Sequence, residues 1–185
     1  MKENKTKYMI LGLLNHQPMS GYDIKERVDH ALSMFWNSGF GQIYPTLASL
    51  AEDGDIQLLK KESKAGPDRK VYQITEQGKV MLKKWLATPT EKEEVRYEML
   101  LKLFFSSAID PTDVIRNIES FQMKKQEEKI RLDMFCMELE KIMNESEDHR
   151  MYYLTARFGQ KVYEAYLQWA QQAIDMLREN EEPML

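Results

Sequence analysis

Gly41-Gln42-Ile43-Tyr44-Pro45-Thr46-Leu47-Ala48-Ser49-Leu50-Ala51-Glu52-Asp53-Gly54-Asp55-Ile56 is the stretch on which the fold turns. Ile43, Leu47 and Leu50 recur at i, i+4 and i+7, one apolar stripe of a helix. Gly54 supplies a stop. Pro45 is tolerated only in or just after the first turn, where the N–H groups have no intrahelical partner, so the helix should begin near Gly41. Gln42, Thr46 and Ser49 then fall on another face. Downstream, Lys64-Ala65-Gly66-Pro67-Asp68-Arg69-Lys70-Val71-Tyr72-Gln73-Ile74-Thr75 reads as a tight turn and a strand. Ile56 to Lys61 supplies the partner strand, and Ala65 to Asp68 the turn between them. A short helix followed by a basic hairpin is the layout of a winged helix-turn-helix, which points to double-stranded DNA as the partner.

Working outward, residues 5–15 form an apolar first helix carrying Tyr8, Ile10, Leu11, Leu13 and Leu14. His16 to Met19 breaks it. Ser20 then caps a second helix, with Asp23 three places on as a shortened capping box. Tyr22, Ile24, Val28 and Leu32 are its expected apolar face, and residues 37–41 are loop. After the hairpin, Thr75 caps a helix from Glu76 to Leu86 that carries Val80, Leu82 and Trp85, and Thr88-Pro89-Thr90 ends it. The acidic run Glu91 to Glu94 marks the boundary, giving domains over 1–88 and 89–185.

Charge follows the same division. Residues 1–87 hold 13 Lys and Arg against 10 Asp and Glu, whereas residues 88–185 hold 13 against 20. The first half is therefore the one expected to meet a polyanion. The apolar run Tyr8 to Leu14 is too short to span a bilayer and no cleavage site follows it, so a cytoplasmic protein is expected. Cys136 sits in an amphipathic pattern and reads as a small buried apolar residue.

The second half reads as helical throughout. Tyr97, Leu100, Leu101, Phe104 and Phe105 mark one helix, and Asp110-Pro111-Thr112 restarts the chain. A heptad-like pattern then runs from Ile118 through Phe121, Lys125, Glu128, Leu132, Phe135 and Leu139 to Ile142. It recurs as Met151, Thr155, Phe158, Val162, Ala165, Trp169, Gln172 and Met176. Such spacing favours two long helices packed at a shallow angle. Leu132, Phe135, Leu139, Phe158, Val162 and Trp169 are expected in a helical core or a dimer seam, because specific DNA affinity usually needs two half-sites.

The stretch Gly41 to Ile56, together with Gly66-Pro67-Asp68-Arg69-Lys70-Val71-Tyr72-Gln73-Ile74-Thr75-Glu76-Gln77-Gly78, resembles the signature of PadR-type transcriptional regulators. Leu11-Gly12-Leu13-Leu14 and Ser20-Gly21-Tyr22-Asp23-Ile24 look like the same family. The helical remainder is similar to the larger PadR subgroup, by length and helical character more than by motif. The resemblance implies a homodimeric DNA-binding repressor that responds to a small aromatic or drug-like compound, and it does not choose between phenolic acids and drugs.

The expected architecture is thus mainly α with a small β-hairpin, an N-terminal winged helix-turn-helix domain and a C-terminal helical dimerisation domain. On the DNA side, Gln42, Tyr44, Thr46 and Ser49 are the polar side chains available to base edges or phosphates, with Gln42 suited to adenine. Tyr44 has packing on the core as its alternative. Lys60, Lys61, Lys64, Arg69 and Lys70 form the basic wing on the phosphate backbone, Arg69 alternatively entering the minor groove, and Lys25 is a further phosphate candidate. Palindromic operator DNA, a second copy of the chain and an effector near Trp85, Tyr8 and Trp36 are the expected partners. No cofactor or metal is expected. His16, His30 and His149 lie far apart, and the chain has no HExxH, GxSxG, Walker A or GxGxxG pattern, so it does not read as an enzyme. The contrasting reading is a non-catalytic interaction adaptor built on a winged helix, which has no reason to bind DNA with steep salt dependence.

Overall fold

The computed structural model describes residues 4–32, 36, 40–62, 69–90 and 96–179. The chain divides into two compact units, Met1–Glu93 and Glu94–Leu185.

In the first unit, α1 (Thr6–His16) buries Tyr8, Ile10, Leu11 and Leu14. The chain turns extended at Gln17, just before Pro18. Met19–Ser20 forms a two-residue strand, β1. Ser20 then caps α2 (Gly21–Arg27) with a reciprocal capping box: its hydroxyl accepts from the Asp23 N–H and the Asp23 carboxylate accepts from the Ser20 N–H. One π-turn, Val28–Leu32, extends this helix. Ile24 and Val28 are buried as the pattern predicts, but Tyr22 is 62% exposed. Its position at the first turn of α2 places it on the rim, where the guanidinium of Arg69 lies 5.9 Å from its ring.

A 3-10 turn, Phe40–Gln42, leads into α3 (Ile43–Glu52). Gly54, at φ 79°, is the chain's one left-handed residue among those described, and it closes the helix. Its N–H donates to the Ala51 carbonyl and the Asp55 N–H reaches back to Leu50, so the last carbonyls of the helix are satisfied. Strands β2 (Ile56–Glu62) and β3 (Arg69–Ile74) pair antiparallel, and β1 adds to the other edge of β3. The sheet therefore has three strands; a two-residue strand carries too little pattern to be read from sequence. Thr75 caps α4 (Glu76–Leu86) through the Gly78 N–H. Ile10, Leu11, Ile24, Ile43, Leu47, Ile56 and Leu82 close one core between these helices and the sheet.

Gly78 holds α4 against the start of β2. A Cβ there would fall well inside contact distance of the Asp55 carbonyl oxygen, which also accepts from the Thr75 N–H at 3.0 Å. Backbone on both sides leaves little room to yield. Gly78→Ala should lower the stability of the first unit by roughly 1–3 kcal/mol, seen as a lower denaturant midpoint for its unfolding. An unchanged midpoint would mean that α4 can slide freely on β2.

The second unit contains α5 (Glu98–Phe104), a 3-10 turn at Ser106–Ala108, α6 (Pro111–Ile142) and α7 (Glu147–Glu179). Asp110 caps α6 by accepting the Thr112 N–H, with Pro111 at the first helical position. Helices α6 and α7 run antiparallel, as shown by Gln122–Gln171, Gln160–Asp133 and Arg178–Glu119 hydrogen bonds. Val114, Ile115 and Ile118 meet Ala170 and Ile174 near the open end of this hairpin. Leu132 lies against Gly159, with its Cδ2 3.0 Å from where a Cβ would stand.

The buried stripe of α7 is Ala156, Tyr163, Ala170 and Ile174. It is not the heptad series Met151, Thr155, Phe158, Val162, Ala165, Trp169, Gln172 and Met176. Small residues let the helices approach, so the larger apolar side chains of that series turn outward: Phe158 is 69% exposed. Leu132 and Leu139 are buried within the chain, the helical-core alternative of that expectation. Phe135 and Phe158 are exposed, whereas Val162 and Trp169 are half-buried, Trp169 meeting Phe121 edge-on. Cys136 is buried, and burial pushes its thiol pKa up, which suits an inert packing residue. Lys125 and Glu128, which interrupt the seam in sequence, pair at 2.7 Å. The ammonium of Lys125 also lies within 5.7 Å of the Phe121, Tyr163 and Tyr166 rings. Burial and a bond to the Glu128 carboxylate push the Tyr163 hydroxyl up to about 12.

Candidate nucleic-acid interface

Helix α3 turns Ile43, Thr46, Leu47 and Leu50 inward and leaves Gln42, Tyr44, Pro45, Ala48 and Ser49 exposed. Thr46, which the sequence places on the outer face, is instead 4% exposed, and its hydroxyl accepts from the Asn4 side-chain amide at 3.2 Å. Three residues after Ile43 and four before Leu50, it shares their stripe, and its γ-methyl fits an apolar setting once the hydroxyl has a partner. Pro45 and Ala48 join the outer face. Neither was singled out from sequence, because small apolar residues carry no polar signal, yet both can pack on a thymine methyl.

Tyr44 is 61% exposed rather than part of the core. Its ring lies over Gly21 at the start of α2, where a Cβ would stand 2.6 Å from the ring carbon Cε1. Ser49 donates to the Asp53 carboxylate at 3.3 Å. Gln42 makes no side-chain cap, and no acidic residue occupies the first turn of α3, so the N–H groups there suit an anion.

In the wing, Lys61 stands opposite Lys70 and Glu62 opposite Arg69 in the β2–β3 register. Lys60 and Lys70 are exposed, as is Lys25 on α2. Lys64 and the expected turn Ala65 to Asp68 lie outside the described residues. Arg69, expected at a phosphate or in the minor groove, has partners within the chain. Its Nη2 pairs with the Asp23 carboxylate, and its Nε donates to the Ser20 hydroxyl at 2.9 Å. Partial burial of Asp23 pushes its carboxyl up, but bonds from the Ser20 N–H and hydroxyl and the Arg69 charge outweigh it and hold the pKa low. A lowered folded pKa means that this pair is intact at neutral pH and is lost only as pH falls below the ordinary aspartate range.

The aromatic residues expected around an effector are arranged differently. Tyr8 and Trp85 stack on each other with ring centroids 4.5 Å apart and planes 7° from parallel. That spacing is van der Waals contact, so no flat ligand enters between them, and Tyr8 is a core residue. Trp36 is half-buried. Among the described residues no three His, Cys, Asp or Glu side chains are grouped to hold a metal, and no helix is long and apolar enough to cross a membrane.

Residues 10–84 match the model of the transcriptional regulator PadR-like family, and residues 95–178 match that of the virulence activator alpha C-terminal region. The negative transcriptional regulator PadR of Bacillus subtilis is 33% identical over 128 residues, which is 67% of this chain and 68% of that protein. The crystal structure of B. subtilis PadR in complex with operator DNA superposes with a TM-score of 0.81 at 28% identity, covering 94% of this chain and 99% of the other. The complex of the same regulator with p-coumaric acid gives 0.75 at 28% identity over 95% and 99%.

Proposed function

Because the chain belongs to the PadR-like family of transcriptional regulators, we propose that it binds operator DNA as a homodimer and represses transcription until a small aromatic effector binds. The first unit is the DNA-binding domain and the second the dimerisation domain. The observation that carries this reading is the convergence of two DNA-facing parts on one turn: Tyr44 of α3 rests on Gly21, and the base of the wing is bonded to Ser20 and Asp23. A polar helix face and a cationic hairpin are thereby anchored side by side. Glu52 ends α3 and Asp53 follows it as the C-cap, so the N-terminal half is the part that enters the major groove.

Fluorescence anisotropy with duplexes selected from a random pool tests this. Binding should weaken steeply with salt, and Lys60→Ala or Lys70→Ala should each lower the salt slope by about 1. Gln42→Ala should relax preference at one operator position by about 1–3 kcal/mol. Absence of binding to every duplex in dilute buffer would reject the proposal.

The likeness to the p-coumaric acid complex supports a planar aromatic acid as the effector class. Trp36 and Trp85 are half-buried reporters for a fluorescence titration. The effector acts only if it binds the DNA-free arrangement more tightly, because equal affinity shifts nothing.

A further inference from the structure

We propose that Asp23 is a positioning residue for DNA reading: with Ser20 it clamps Arg69 at the wing root, beside the glycine that seats Tyr44. The inference rests on the DNA-binding reading above and assigns Arg69 to the protein's own framework instead of to phosphate.

The geometry that carries it is local and complete. The β1–β3 ladder ends at Ser20 opposite Val71, and Arg69, the first residue of β3, lies two residues before Val71. Side chains two apart on a strand share a face, so Arg69 extends that edge where no backbone pairing with β1 remains. Its guanidinium uses two different nitrogens, Nε on the Ser20 hydroxyl and Nη2 on Asp23 Oδ1. Asp23 Oδ2 meanwhile accepts from the Ser20 N–H at 2.9 Å and the Ser20 hydroxyl at 2.7 Å. One carboxylate therefore caps α2 with one oxygen and holds the wing with the other. Between Ser20 and Asp23, Gly21 leaves the space that the Tyr44 ring fills. A four-residue turn thus fixes both the wing and α3, and the separation of the two along the DNA depends on it.

A planar fork with fixed donors is needed for this clamp, so lysine at 69 keeps the charge and loses the geometry. Asparagine at 23 still accepts the capping bond and loses the ion pair. These two variants separate positioning from phosphate contact, because the two roles predict opposite signs. If Arg69 met phosphate, Asp23→Asn would remove a competing carboxylate and tighten DNA binding.

The test uses the full chain, with Asp23→Asn, Arg69→Lys and the double variant, on a duplex that the wild type binds. Each single variant should weaken selected-duplex binding roughly tenfold. The salt slope should stay at the wild-type value, and the double should be no worse than the singles. Hydrogen exchange of the free proteins over residues 69–74 should be faster in both singles. Tighter or unchanged binding by Asp23→Asn, or wild-type binding by Arg69→Lys, overturns the proposal, as does unchanged exchange over 69–74. Because Arg69→Lys leaves the capping box intact, it still decides the matter if Asp23→Asn unfolds α2. Failure of the wild type itself to bind any duplex refutes the DNA-binding reading instead, and the exchange measurement then judges the clamp alone.

Discussion

Phe158→Glu should leave the chain folded, make it monomeric and weaken operator binding roughly a hundredfold. Phe158 is 69% exposed on α7. Isolated exposed apolar residues are ordinary, but Phe158 is one of a series on this helix with Met151, Leu154 and Met176, and α5 with the residue after it adds Leu101, Phe104 and Phe105. Two half-sites held by one dimer raise affinity by effective concentration without any new DNA contact, and a carboxylate desolvated at the seam removes that gain. Sedimentation velocity and anisotropy on the same samples check it. A variant that stays dimeric with wild-type operator affinity would place the seam elsewhere, and Phe104→Glu on α5 is then the next surface to probe.

Leu132→Ala is expected to act through the fold, costing about 2–5 kcal/mol of stability in the second unit. Leu132 is 1% exposed and packs on Gly159 at the narrow part of the α6–α7 hairpin. Truncation opens a cavity between two helices held close by small residues, where neighbouring side chains have little freedom to collapse into it. Thermal unfolding followed by circular dichroism should show an earlier transition. Near-wild-type melting would mean that α6 and α7 close over the gap. The two variants test separate roles for residues of the two heptad-like series: Leu132 as a contact within the chain, and Phe158 as the contact proposed for a second copy.

Local order was readable where the signal is local. The Ser20–Asp23 capping box, the Gly54 stop, Thr75 at the start of α4 and Asp110-Pro111 at the start of α6 each depend on residues within a few positions. The core stripe Ile43, Leu47 and Leu50 followed from helical period alone. What the sequence does not show are partners far along the chain. Thr46 was placed outside by its polarity, yet its hydroxyl finds Asn4 42 residues away. The charge of Arg69 points to DNA, and only the fold shows that Asp23 and Ser20 bond it from 46 and 49 residues away. Tyr8 and Trp85, expected near a ligand, stack on each other across 77 residues of sequence.

What the chain's order of residues determined was the set of elements, their ends and the division between a basic first half and an acidic second. These depend on backbone preference, period and composition, which need no distant partner. Only the tertiary arrangement decided which polar side chains are already engaged and which apolar faces stay open. A hydrogen bond or a buried contact is made with whatever folding brings alongside, and sequence distance carries no information about that neighbour.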